Sequence, residues 1–169
     1  MMSQFIVGTI EAIAVRSCKD GPMKELSRVE ARAGGGVEGD LPAPLDRGIT
    51  LLSAEQWEQV TRELDRDLPW HTRRANVLVS GPGLRRLIGQ EIQVGSVRVA
   101  VTGETKPCKL MEQLCPGLRA ALTPECRGGV LGRIMQSGTL AIGDEIVLLE
   151  QSGCEAAAGE SAGDAGLED

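Results

Sequence analysis

Residues 91–102 read EIQVGSVRVAVT. Two runs rich in β-branched residues, Glu91–Val94 and Val97–Thr102, flank Gly95-Ser96, a two-residue loop that suits a type II′ hairpin with glycine at its first central position. In the second run Val97, Val99 and Val101 share one face, while Arg98, Ala100 and Thr102 share the other, so one face is expected to be buried. A strand pair of this kind calls for more sheet to cover it, and the flanking sequence supplies it.

Upstream, Phe5–Val15 and Val29–Ala33 read as strands, with the turn material Asp20-Gly21-Pro22 between them. Ile49–Leu52 is a short apolar run. Ser53 then precedes Gln56 by three residues and opens a pattern with Trp57, Val60 and Leu64 at i, i+3 and i+7. This predicts a helix over about Ala54–Asp65, ended by Leu68-Pro69. Asn76–Ser80 reads as a strand broken by Gly81-Pro82-Gly83. Downstream, Leu110, Met111 and Leu114 fit a short helix, and Gly117–Leu122 fits another turn or two. Gly129–Gln136 and Glu145–Leu149 close the series as strands, the last entered through Gly143-Asp144. Many short strands with few helices predict a β-rich α+β domain, barrel-like, with a mostly antiparallel sheet.

The composition agrees with one such domain. A chain of 169 residues with 41% hydrophobic content can bury a real core, but aromatics are only 2%, so that core must be aliphatic. Residues 151–169 carry Glu155, Glu160, Asp164, Glu168 and Asp169 and no base, which accounts for most of the formal charge of −6 and leaves residues 1–150 nearly neutral. A domain over residues 4–150 and a disordered acidic Ala/Gly-rich tail over 151–169 are therefore expected. Near neutrality argues against a nucleic-acid binder. No apolar run approaches the roughly 18 residues of a membrane span, and the N-terminal residues do not resemble a cleaved leader. The expected location is cytoplasmic.

Five cysteines, Cys18, Cys108, Cys115, Cys126 and Cys154, are an odd number at irregular spacings. That suits neither a disulfide framework nor a zinc site, which favours paired short gaps. His71 is the sole histidine.

Three constellations could carry chemistry. Cys108 follows Pro107 at the exit of the Val97–Thr102 strand, between Lys106 and Lys109 and just ahead of a helix; positive charge and the helix dipole favour its thiolate. Such a thiol can be a nucleophile, a persulfide carrier or a soft metal ligand, or simply a small core residue flanked by solvated lysines. The stretch Gly34-Gly35-Gly36-Val37-Glu38-Gly39-Asp40 could turn successive N–H groups into an anion nest, or could be a plain connection. Arginines stand at several turns, namely Arg47, Arg73, Arg74, Arg127 and Arg133. Arg74-Ala75-Asn76 could address a phosphate or a heterocycle edge at the start of a strand.

Taken in order, these pieces resemble the MOSC domain family, named after the C-terminal domain of molybdenum cofactor sulfurase. The resemblance runs from Val7-Gly8-Thr9-Ile10 through Gly34–Asp40, Arg47-Gly48-Ile49-Thr50 and Arg74-Ala75-Asn76. It continues through Pro107-Cys108, Gly117-Leu118 and Gly129-Val130 with Arg133-Ile134 to Gly143-Asp144. It implies a β-rich barrel-like fold, binding of the molybdenum cofactor (molybdopterin), and an essential cysteine at Cys108, either as a sulfur ligand of molybdenum or as a sulfur carrier. It further implies that Gly34, Gly35, Gly36, Gly39, Asp40, Arg47, Arg74, Asn76 and Arg133 contribute to the cofactor site. Where many relatives carry a histidine soon after the Gly-Asp step, this chain has Leu41-Pro42-Ala43-Pro44. No pyridoxal phosphate is expected.

Three functions follow as expectations. The first is a cofactor-binding and sulfur-carrier domain acting through Cys108 as a persulfide, served by a cysteine desulfurase and facing molybdoenzymes or cofactor-biosynthesis proteins. The second is a molybdenum-dependent reductase of N-hydroxylated compounds fed by an electron-transfer protein. The third is a thiol redox or structural β domain in which Cys115 or Cys126 resolves Cys108. No nucleic-acid or membrane partner is expected.

Overall fold

A computed structural model describes residues 4–19, 21–81 and 83–149 of the chain. The expected acidic tail, with Cys154, lies outside the described residues.

Among the described residues there are ten strands: β1 (Gln4–Val15), β2 (Lys24–Leu26), β3 (Arg28–Ala31), β4 (Ile49–Ser53), β5 (Val77–Ser80), β6 (Glu91–Val94), β7 (Val97–Glu104), β8 (Val130–Gln136), β9 (Gly138–Ala141) and β10 (Glu145–Leu149). Three short helices join them: α1 (Ala54–Leu64), α2 (Lys109–Leu114) and α3 (Leu118–Leu122). Seven strands close into a barrel in the order β1-β10-β6-β7-β8-β4-β5 and back to β1. Every pairing in the ring is antiparallel except β4 with β5, where α1 carries the chain over to a parallel neighbour. β2 extends the sheet beside the far end of β1, and β3 with β9 forms a separate ribbon. The β-rich, mostly antiparallel barrel expected from the sequence is thus present.

The ring closes because β1 is long and irregular. It pairs with β10 through Gln4–Thr9 and with β5 through Thr9–Ile13, and its register shifts once on each side, between Ile6 and Gly8 and between Ile10 and Ala12. Bulges of this kind bend a strand sharply. Gly8 lies against the Ser80 carbonyl so closely that no β-carbon fits there.

The β6–β7 hairpin forms around Gly95, whose φ of +60° suits glycine. Val97, Val99 and Val101 are buried on one face as the alternation predicts. They join Ile10, Ile13, Ile49, Leu51, Ile92 and Ile134 in the barrel interior. A second apolar layer of Leu52, Trp57, Val60, Trp70, Met111, Leu118 and Leu122 packs the three helices against the outside of the wall. Alternation along β4 sends Leu51 to the first cluster and Leu52 to the second.

Four local expectations need correction. α1 has nearly its expected bounds, but Asp65 and not Leu68-Pro69 ends it: Asp65 takes a left-handed conformation (φ 52°) and its N–H donates to the Arg62 carbonyl. β7 runs beyond Thr102 to Glu104. The strands predicted over Val29–Ala33 and Asn76–Ser80 are shorter, at Arg28–Ala31 and Val77–Ser80. Strands β2 and β9 were not expected at all. The helix start is as predicted: the Ser53 hydroxyl accepts from the Gln56 N–H at 3.2 Å.

Candidate functional site

β4 and β5 run parallel, so the segments that lead into them lie side by side. Arg47 precedes β4, and Arg73, Arg74 and Asn76 precede β5. The connection from β7 to α2, Thr105–Cys108, comes to the same place on the outer side of the wall. Between them opens a cleft of about 270 Å³ whose lining includes Asp40, Arg47, Arg73, Arg74, Thr105 and Cys108. Residues drawn from four stretches of sequence therefore meet around one thiol.

Cys108 caps α2 in an extended conformation (φ −124°, ψ −175°) and is solvent-exposed. Its carbonyl accepts the Met111 N–H at 3.0 Å, which fixes the corner. Lys106 and Lys109, which the sequence placed beside the thiol, are exposed and stay outside the cleft lining. The nearby cation is instead Arg73.

Arg73 is only 5% exposed. Its Nε donates to the Gly128 carbonyl and its Nη2 to the Thr105 carbonyl, each at 2.9 Å, and Nη1 has only the Met111 sulfur at 4.0 Å. Burial among neutral carbonyls lowers its pKa to about 10; a negative Cys108 sulfur opposes that shift and the Arg47 cation adds to it. At neutral pH the group remains a buried cation whose charge is unanswered by any carboxylate among the described residues. The guanidinium also grips both sides of Cys108, at Thr105 and at Met111.

The sequence grouped Arg73 with other turn arginines and assigned the site to its neighbour. What separates the two is the backbone: Arg74 is left-handed (φ 68°), so successive side chains leave in different directions. Arg74 still lines the cleft, with Nη1 donating to the Gly21 carbonyl at 2.8 Å. Thr105 was also missed. It is 3% exposed and is one of the residues around the cleft, and its buried hydroxyl has no hydrogen-bond partner. An orphaned hydroxyl beside an open cleft is a place for a ligand atom.

Asn76 is a strut. Its Oδ1 accepts from the Thr50 N–H at 3.1 Å, and its Nδ2 donates to the Ala14 carbonyl at 3.3 Å and to Asp40 Oδ2 at 3.1 Å. Asp40 in turn accepts the Arg16 N–H at 2.8 Å. Gly39, at φ +89°, makes the turn that delivers Asp40 to the cleft.

Arg133 and the triple glycine do not line the cleft. The Arg133 guanidinium donates to Asp46 Oδ1 from both Nε (3.1 Å) and Nη2 (2.5 Å), and so braces the turn that carries Arg47. Gly34 and Gly35 donate their N–H groups to the Ile134 and Arg32 carbonyls, both at 3.0 Å, so these amides are committed and form no open nest. The loop seats on Gly48 instead, where a β-carbon would strike the Gly35 carbonyl. Arg127 is likewise structural, paired with Glu63 of α1 through two bonds of 2.9 and 3.2 Å.

Cys115 and Cys126 are buried, so neither stands ready to resolve a disulfide at Cys108. Burial, with Glu104 nearby, raises the Cys126 pKa, and Arg85 opposes this.

No curated protein matches the chain. Among solved structures it is similar to the YuaD protein from Bacillus subtilis, with a TM-score of 0.72 at 20% identity over 89% of this chain and 99% of that one. It is similar also to YiiM from Escherichia coli (TM-score 0.67, 15% identity, 85% of this chain and 70% of that one) and YiiM from Geobacillus stearothermophilus (0.64, 17%, 88% and 76%). These likenesses bear on the fold. The MOSC domain matches residues 31–147, which run from the end of β3 into β10, take in every barrel strand but β1, and include every cleft residue from Asp40 to Met111. By that match the chain belongs to the MOSC domain family.

Proposed function

We propose that the chain binds the molybdenum cofactor in the Cys108 cleft and acts there as a sulfur carrier. The observation that supports this best is the meeting of one exposed thiol with Arg47, Arg73 and Arg74 in a single cleft.

The donor set fits the group. Guanidinium donors and a free hydroxyl suit a phosphate-bearing pterin, and a thiolate suits a soft metal. Arg47 and Arg74 at the cleft wall would hold the phosphate, and Cys108 would stand toward the metal. Arg73, Asn76 and Gly39 act behind them, holding respectively the Cys108 corner, Asp40 and the turn into the cleft. When bound, the cofactor supplies the metal-centred sulfur and oxygen chemistry.

The carrier step belongs to this chain. The Cys108 thiolate attacks the terminal sulfur of a donor persulfide, a new S–S bond forms, the donor's S–S bond breaks, and the donor leaves as its own thiolate. Exposure of Cys108 at the rim suits delivery by a cysteine desulfurase. Protein purified from cells that make the cofactor should release a fluorescent oxidised pterin in proportion to protein. An Arg47→Ala/Arg74→Ala double variant that retains the wild-type yield of pterin would overturn the assignment.

A further inference from the structure

Two buried polar groups stand together beside the cleft. Arg73 and Thr105 are both nearly inaccessible, at 5% and 3% exposure, and they are bonded to each other through the Thr105 carbonyl. The Thr105 hydroxyl has no partner, and Arg73 Nη1, which carries two N–H groups, donates only to the Met111 sulfur at 4.0 Å. Arg47 stands exposed at the rim of the same cleft. The carboxylate in the lining, Asp40, is turned to other work, with its oxygens on the Arg16 N–H and the Asn76 amide. A buried guanidinium and a hydroxyl with open donors, reinforced by a second guanidinium, make a receptor for a small oxyanion. The thiol at its edge is Cys108.

We propose that Arg73, Thr105 and Arg47 form an oxyanion subsite that presents a small sulfur oxyanion bearing a sulfane sulfur, of the thiosulfate class, to Cys108. This rests on the carrier reading and names a donor for it. The sulfonate oxygens lie on the two guanidiniums and the hydroxyl, and the sulfane sulfur points to Cys108 Sγ. The thiolate attacks the sulfane sulfur, and a Cys108 persulfide forms. The bond between the sulfane and sulfonate sulfurs breaks, and its electron pair leaves with sulfite. The thiolate is oxidised to the persulfide level while the sulfonate sulfur is reduced to sulfite, so no outside oxidant or reductant is required. Arg73 helps most where charge gathers on the departing sulfite.

The test uses the full chain, reduced and free of cofactor, incubated with thiosulfate; persulfide is trapped and located by peptide mass spectrometry, and sulfite release is followed. Wild type should gain one sulfur atom at Cys108 with one sulfite released, and Cys108→Ser should gain none. Arg73→Met should load at least about tenfold more slowly, as expected for loss of a charge-assisted hydrogen bond in a dry site. Arg73→Lys should recover part of the rate, and sulfate should compete. Thr105→Val and Arg47→Met, which spare the Arg73 clamp, should each slow loading and weaken sulfate competition, and they decide the matter if Arg73→Met fails to fold. Loading that is indifferent to sulfate and to these substitutions overturns the subsite. If Cys108 takes sulfur from a cysteine desulfurase but is inert to thiosulfate, the subsite falls and the carrier reading stands. If it is inert to both, the carrier reading falls as well.

Discussion

The Arg73 guanidinium donates to the Thr105 carbonyl at 2.9 Å and to the Gly128 carbonyl at the same distance, tying the approach to β5 to the corner that presents Cys108. Gly128 allows this: a β-carbon there would lie 2.5 Å from the Thr105 oxygen and 3.3 Å from Arg73 Nη2. Gly128→Ala should therefore destabilise the fold by about 1–3 kcal/mol, the usual cost of overpacking. Urea unfolding monitored by tryptophan fluorescence checks this, and an unchanged midpoint would mean that the clamp is loose.

Asn76→Asp keeps the shape of the strut but replaces the amide donors that face Asp40 Oδ2 and the Ala14 carbonyl with a carboxylate. One carboxylate oxygen then meets two acceptors. A loss of roughly 2–4 kcal/mol at neutral pH is expected from an unpaired buried charge. Because protonation of the new carboxyl restores one donor, the deficit should shrink as pH falls into the carboxylate range. A pH-independent deficit would contradict the hydrogen-bond assignment.

Outside the cleft, Arg133 of β8 is bonded to Asp46, which lies in the turn that ends at Arg47. Both Arg133→Met and Asp46→Asn should weaken binding of inorganic phosphate a few-fold, and the double variant should be no weaker than either single one. Additive losses would mean that Arg133 meets the anion directly.

Among the described cysteines, Cys18 and Cys108 are exposed while Cys115 and Cys126 are buried. Iodoacetamide should label the first two in the native protein and the others only on unfolding. Because the Cys126 pKa is raised in the fold above its ordinary 9.0, the folded state resists ionisation that the unfolded chain accepts. Its contribution to stability is complete below pH 9 and is lost as pH rises through the folded value. Cys126→Ser should flatten that alkaline decline; an identical decline in the variant would contradict the assignment.

Elements held by local chemistry were readable before the fold was known. The β6–β7 hairpin is written in the alternation of valines around Gly95-Ser96, and α1 in the Ser53 cap and its apolar spacing. β2 and β9 were not, because Lys24–Leu26 and Gly138–Ala141 are short and owe their pairing to distant partners, as in Ile13 with Leu26 and Val29 with Leu140. Position along the chain brought Asp40, Arg47, Arg74, Asn76 and Cys108 to notice, and all five do line one cleft. Roles were harder to read than places. Gly34–Gly36 resembles an anion nest in one dimension and braces Gly48 in three, and the choice between Arg73 and Arg74 depends on a left-handed residue that no side-chain pattern announces.

If this cleft holds the molybdenum cofactor with Cys108 at the metal, molybdenum stays with the protein only while that thiol is present. The most direct measurement is the molybdenum content, per mole of folded protein, of wild type and Cys108→Ser purified side by side from cells that make the cofactor. Substantial molybdenum in wild type and its loss in Cys108→Ser is the predicted result. Equal molybdenum in both would contradict the account.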